Sequence, residues 1–173
     1  MIDTVYNMGD DAFSNLFDIS LEPISYIPDV GSTLLRVQNF TIPGTGTDTY
    51  EVHHKTQRIT KPSGKQNDPK EFSFDIRVDR NWVVYRGLIL WKNAVSNQVS
   101  GAVGADNPLS NNRANISVWA VTPTGIPIPG LGSWTFKGCF PQNVGDVSFD
   151  YTSGDPITVN VTMGFLVMDD LDI

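Results

Sequence analysis

Apolar residues occupy every second position over long stretches of this chain. The clearest stretch lies near the C-terminus and consists of Ile157, Val159, Val161, Met163, Phe165 and Val167. Shorter stretches of the same kind begin at Phe17, Phe72 and Trp134. Because successive side chains of a strand point to opposite faces, each stretch predicts a strand with one core face and one outer face. The pattern predicts a mainly β protein.

One segment, 80–96, has helical periodicity instead. Its large apolar residues recur at the spacing of one helix face: Val84, Leu88, Trp91 and Val95. Asp79 lies just upstream and is a candidate N-cap, since an acid near a helix start is favoured by the helix dipole. We therefore predict a single helix among the strands.

The length of 173 residues is that of one domain, and we expect a single domain over 1–173. It would begin with an N-terminal arm, 1–14, and end with an acidic tail, 168–173. No apolar run approaches the roughly 18 residues of a membrane span, so no membrane anchor is predicted. Two loops, 97–113 and 122–130, show no periodicity that assigns them a role.

The net charge of −7 is unevenly distributed. Residues 1–30 carry six acids and no base, whereas 31–100 carry ten bases against six acids. Residues 101–173 carry two bases against seven acids. An acidic chain whose basic residues lie in its middle is poorly suited to binding the phosphates of nucleic acids. The same distribution suits packing against further copies, basic middle against acidic ends.

The segment 47–60 is β-prone but polar on both faces. Its large apolar residues are Tyr50, Val52 and Ile59. A strand of this composition cannot be held by the core of its own domain, so we predict one long strand that projects or lies at an edge. An edge strand is a template for pairing with another chain.

No catalytic constellation is found. His53 and His54 are adjacent, so on a strand they point to opposite faces and cannot chelate one metal. The single cysteine, Cys139, excludes an intrachain disulfide and argues against a cysteine metal cluster. The acids in 169–172 are more typical of a solvated tail than of a metal site. We predict a protein that is not an enzyme and has no catalytic residue, metal or cofactor.

Motifs in fixed order resemble the tail tube proteins of contractile-tailed, myovirus-type bacteriophages. The motif in the C-terminal third consists of Trp134, Phe136, Gly138, Phe140, Pro141, Val144, Asp146, Asp150, Tyr151, Ser153, Asp155 and Ile157. A second motif consists of Phe72, Phe74, Ile76, Val78, Asp79, Asn81, Trp82, Tyr85, Leu88 and Trp91. The stretches 15–19 and 40–44 are also similar to that family, so the resemblance covers about residues 13 to 167.

The resemblance implies two packed antiparallel sheets, a β-sandwich or partial barrel, with one flanking α-helix. That fold is shared with the haemolysin-coregulated tube proteins of type VI secretion. The resemblance also implies hexameric rings that stack, inside a contractile sheath, into the conduit through which viral DNA is ejected. The implied partners are further copies of the chain, the sheath protein, baseplate and tail terminator proteins, and double-stranded DNA in transit. The implied location is the virion tail, assembled in the host cytoplasm.

Two alternatives stay open at this point. One is the inner-tube protein of a type VI or phage-like contractile injection system; the other is a monomeric ligand-binding β-sandwich. Trp119 is out of phase with its apolar neighbours, which places it outside the core. The candidate subunit-interface residues are Tyr50, Val52, His54, Arg58, Trp119, Thr158, Asn160 and Thr162.

Overall fold

Nine strands and two helices make up the part of the chain that the computed structural model describes, residues 14–27, 30–66, 69–96, 112–127 and 132–170. The strands are β1 (Phe17–Leu21), β2 (Val37–Thr41), β3 (Thr47–His54), β4 (Gln57–Gln66), β5 (Glu71–Arg77), β6 (Ala114–Ala120), β7 (Ser133–Val144), β8 (Thr158–Gly164) and β9 (Val167–Asp170). The helices are α1 (Val30–Leu34) and α2 (Val83–Val95).

Seven strands form one antiparallel sheet that folds into two layers. The strand order is β1-β6-β7-β8-β5-β2, and β9 lies beside β7. The first half of β7 pairs with β6 and β9, and its second half pairs with β8. Between the halves, Gly138 has φ 69°, and a Cβ there would lie 2.8 Å from the Leu166 side chain. The two antiparallel layers with a flanking helix confirm the predicted fold.

An aromatic cluster joins the layers. Phe136 on β7 is fully buried, with its ring centroid 4.5 Å from that of Phe72 on β5 and 5.1 Å from that of Phe165. The alternation near the C-terminus correctly predicts the inward side chains of β8, which are Val159, Val161 and Met163. Side chains from both layers therefore form one hydrophobic core.

Helix α2 lies within the predicted segment 80–96 and packs on β7. Val84, Leu88 and Trp91 are buried, and Val95 packs against the edge of the core. The indole Nε1 of Trp91 donates a 2.7 Å hydrogen bond to the carbonyl of Asn112, which satisfies the polar atom of this buried ring.

Asp79 stabilises the start of α2, but not from the predicted N-cap position. The helix begins at Val83, and the capping residue is Trp82, which has φ 59° and no side-chain cap. The Asp79 carboxylate accepts hydrogen bonds from the backbone N–H of Val83 at 3.1 Å and of Val84 at 3.0 Å. Burial acts to raise the pKa of Asp79, but these bonds outweigh it and the pKa is lowered.

The predicted acidic tail, 168–173, is wrong for the residues that the structure describes. Val167–Asp170 form β9, whose backbone pairs with β7, and Asp169 makes an ion pair with Lys137. The antiparallel ladder and the facing cation hold these acids in a sheet. Residues 171–173 lie outside the described part of the chain.

Two other predicted segments lie wholly or mainly outside the described residues. The arm 1–14 is described only at Ser14, and the loop 97–113 only at its last two residues. The first part of 122–130 forms a turn closed by pairing of Val121 with Pro127. No helix in the described ranges is long and apolar enough to cross a membrane.

Candidate functional site: an exposed hairpin and two open strand edges

The segment 47–60 is not the single strand predicted. The chain reverses at Lys55–Thr56, and β3 and β4 form a separate two-stranded sheet. Lys55 takes the left-handed conformation, with φ 54°. Neither turn residue is a glycine or asparagine, the usual markers of a two-residue hairpin turn, so the reversal carries no sequence signal.

The large apolar residues of this hairpin share one face. Val52 is directly opposite Ile59, and Tyr50 lies two residues away on the same side. Tyr50 is 49% exposed and Ile59 44% exposed. We call these three side chains the apolar hairpin face. None of them belongs to the described core or to the residues packed against it, so the described core leaves this face uncovered.

Contacts between its own two strands stabilise the hairpin. On the face opposite Val52, Arg58 makes an ion pair with Glu51, and the two side chains are 66% and 38% exposed. The Ser63 hydroxyl donates a 2.9 Å bond to the Asp48 carbonyl. An isolated two-stranded hairpin is marginally stable in water, and an exposed ion pair contributes little. A partner that covered the apolar hairpin face would therefore stabilise it.

A groove separates the two ends of the folded sheet. Among the described residues, β1 pairs with β6 alone and β2 with β5 alone, so each has one open backbone edge. The groove has a volume of about 920 Å³ and is lined by both strands, including Phe17, Asp18, Gln38 and Phe40. Unpaired strand edges are sites for the addition of another strand.

Trp119 on β6 also lines this groove. It lies opposite Asp18 of β1 and is half-buried, on the face away from Val118 and the core, as its phase predicts. Its indole N–H is buried and has no acceptor in the described part of the chain. A buried donor without a partner costs free energy.

The candidates on β8 lie on the outer face of the second layer. Thr158, Asn160 and Thr162 alternate with the buried residues of that strand. Asp75 on β5 accepts hydrogen bonds from the amide of Asn160 at 2.7 Å and from that of Asn39 at 3.4 Å. We call the surface formed by Asn39, Asp75, Thr158, Asn160 and Thr162 the polar sheet face.

The eight predicted interface residues therefore fall on separate surfaces. Tyr50, Val52 and His54 share one face of the hairpin, and Arg58 lies on the other. Trp119 lines the groove, and the three β8 residues form part of the polar sheet face. The prediction did not include Asp75, although its outward phase in the alternating stretch from Phe72 was a signal for it.

In the described ranges, side chains of the types that bind metal ions do not form a cluster. No group of three or more His, Cys, Asp and Glu there could hold a metal ion. His53 and His54 are exposed on opposite faces of β3. Cys139 is fully buried, and burial raises the pKa of its thiol to about 12, which suppresses the reactive thiolate.

Structural comparison relates the fold to contractile injection systems. A chain in the cryo-EM structure of the anti-feeding prophage cap, described as a tube-terminating cap, superimposes with a TM-score of 0.65 at 16% identity, covering 94% of this chain and 91% of that one. A chain from the sheath–tube complex of an extracellular contractile injection system gives 0.60 at 17% identity, covering 96% of each chain. The sheath/tube terminator structure of that system gives 0.62 at 16% identity, covering 94% and 99%.

These likenesses cover nearly the whole length of each chain and confirm, for the fold, the resemblance to tail tube proteins predicted from the motifs. A type VI secretion system protein gives a TM-score of 0.50 at 12% identity, covering 88% of this chain and 80% of that one. No protein-family model matches the sequence, and neither does any curated protein.

Proposed function

We propose that this chain is the repeating structural subunit of the hollow inner tube of a contractile tail or tail-like injector. The observation that carries the proposal is the apolar hairpin face, which the described core of a single copy leaves uncovered, in a fold like that of chains from tube-containing assemblies. The core of a single copy does not hold the hairpin. Neighbouring copies that cover the hairpin would account for its position.

In the proposed assembly, six copies form a ring and the rings stack. Neighbours complete the open edges of β1 and β2, since a closed ring of strands leaves no edge for aggregation. Sheath, baseplate and terminator proteins then bind the outside and the ends of the tube. The chain acts as a passive conduit and carries out no reaction.

We assign the polar sheet face to the lumen. Its side chains bond mainly to one another, as Asp75 does with Asn39 and Asn160, so they present few unsatisfied groups to passing cargo. Arg77 lies opposite Thr158 on this surface, but the other side chains named here are amides, hydroxyls and a carboxylate, which do not hold DNA phosphates as a cluster of cations would. Such a lining lets double-stranded DNA pass without sticking.

Within this class, the motif resemblance favours the tail tube of a contractile phage, assembled in the host cytoplasm and carried in the virion. A specific observation also favours a second candidate, the inner tube of an injection system: the structures compared above come from the anti-feeding prophage and an extracellular contractile injection system. DNA found inside purified particles would select the phage tail, and empty-headed or headless particles would select the injector.

Purified chain is expected to form rings or tubes as its concentration rises. Negative-stain microscopy would show the particles, and light scattering would report the growth in mass. A monomer that persists at high protein concentration and physiological salt would contradict the proposal and favour a solitary ligand-binding β-sandwich.

A further inference from the structure

The groove between β1 and β2 has the properties of a site for an extended segment. Both flanking strands present unpaired backbone along it, and its lining is mainly apolar. Asp18 is the one charged side chain among the described residues that line it. The half-buried side chain of Trp119 adds an aromatic surface to the lining. A β-segment with apolar side chains on one face and accessible backbone carbonyls would satisfy each of these features.

The hairpin of the same protein has the complementary properties. The apolar hairpin face is uncovered, and β3 and β4 each have an open outer edge in the described ranges. The hairpin carries four basic residues, Lys55, Arg58, Lys61 and Lys65, against two acids, Asp48 and Glu51. Lys61 lies on the apolar hairpin face beside Tyr50, where it can meet Asp18 of the groove. No hairpin residue lines the groove of its own copy.

We infer that the β3–β4 hairpin of a second copy docks in the groove between β1 and β2, with its apolar face inward and Lys61 near Asp18. The inference rests on the proposed function and specifies which surfaces of two tube subunits meet. A hairpin-to-groove contact joins two different surfaces, so it is heterologous. Such a contact repeats from copy to copy and builds closed rings or open helical filaments.

Cross-linking between two copies of the chain tests this contact. The two copies are made to differ in length, so that a linked mixed pair can be told by its size from a pair of identical copies. One copy carries Ile59→Cys in the hairpin, the other carries Gln38→Cys in the groove, and a short bismaleimide links cysteines that lie close together. The native Cys139 does not interfere, because its buried thiol has a pKa of about 12. The matched control is Thr60→Cys, which lies next to Ile59 in sequence but on the opposite face of the hairpin.

We expect the Ile59→Cys copy to link to the Gln38→Cys copy and the Thr60→Cys copy to give only background. Equal linking from both hairpin positions, or none from either while rings still form, overturns the docking geometry and leaves the proposed function standing. A chain that never assembles overturns both.

Trp119→Phe gives a second, independent readout. The change removes an N–H that has no acceptor in a single copy, so the melting temperature below the assembly threshold should hold or rise. It also replaces a side chain that lines the groove by a smaller one, so the docked hairpin loses contact area and the assembly threshold should rise. An unchanged threshold would show that Trp119 does not contact the second copy and would overturn docking of the hairpin against this part of the groove.

Discussion

Replacing Val52 with aspartate is expected to block assembly while leaving the fold of the single copy intact. Val52 lies at the centre of the apolar hairpin face, between Tyr50 and the facing Ile59, and none of the three contacts the core. In an assembled interface the new carboxylate would be buried without a partner, at a cost of about 3 kcal/mol or more. Since 1.4 kcal/mol is about tenfold, the assembly threshold should rise at least about 100-fold.

Sedimentation velocity over a range of concentrations measures that threshold, and circular dichroism checks the fold of the single copy. The matched control is Thr49→Asp, which places the same charge on the other face of β3, opposite Pro62. The control should assemble at nearly the wild-type threshold. Assembly of Val52→Asp at the wild-type concentration would mean that the apolar hairpin face is not an interface.

Replacing Phe136 with alanine is expected to give the largest loss of stability. Phe136 is 0% exposed, and its ring lies against Phe72 and Phe165, which belong to other segments of the two-layered core. Removing a buried phenyl ring leaves a cavity and costs about 3–5 kcal/mol, a large part of the stability of a domain this size. Urea unfolding followed by tryptophan fluorescence would show a much lower midpoint or an already unfolded chain.

Phe149→Ala is the matched control for that loss, because Phe149 is 76% exposed and its nearest aromatic neighbour is Trp82 at 5.9 Å. Its midpoint should shift by less than about 0.5 kcal/mol, as is usual for surface substitutions. Equal losses from the two variants would contradict the assignment of the aromatic cluster as the element that joins the layers.

Much of the fold could be predicted because its periodicities are regular. Alternation correctly placed Val159, Val161 and Met163 in the core, and the helical spacing correctly placed Leu88 and Trp91. These positions are decided locally, by which face of a strand or helix each side chain occupies. The position of Trp119 outside the core could be predicted from the alternation for the same reason.

Features that have no local sequence signal, or that depend on contacts between distant segments, could not be predicted. The turn at Lys55–Thr56 has no glycine or asparagine to mark it, so the hairpin appeared as one strand. The acids near the C-terminus resembled a solvated tail because their partner, Lys137, is more than thirty residues away in sequence. The groove exists only because β1 and β2 are the two ends of the strand order. The sequence predicted that Asp79 stabilises the start of the helix, but it did not predict that Asp79 lies outside the first helical turn.

Hydrogen exchange of the hairpin amides in dissociated and assembled protein tests the central claim most directly. Backbone N–H groups at open strand edges exchange readily, and burial against another chain protects them. We expect 47–66 and the edges of β1 and β2 to exchange rapidly in the single copy and to become strongly protected when tubes form. Slow exchange in the single copy, or no gain of protection on assembly, would show that neighbouring copies do not complete these strands.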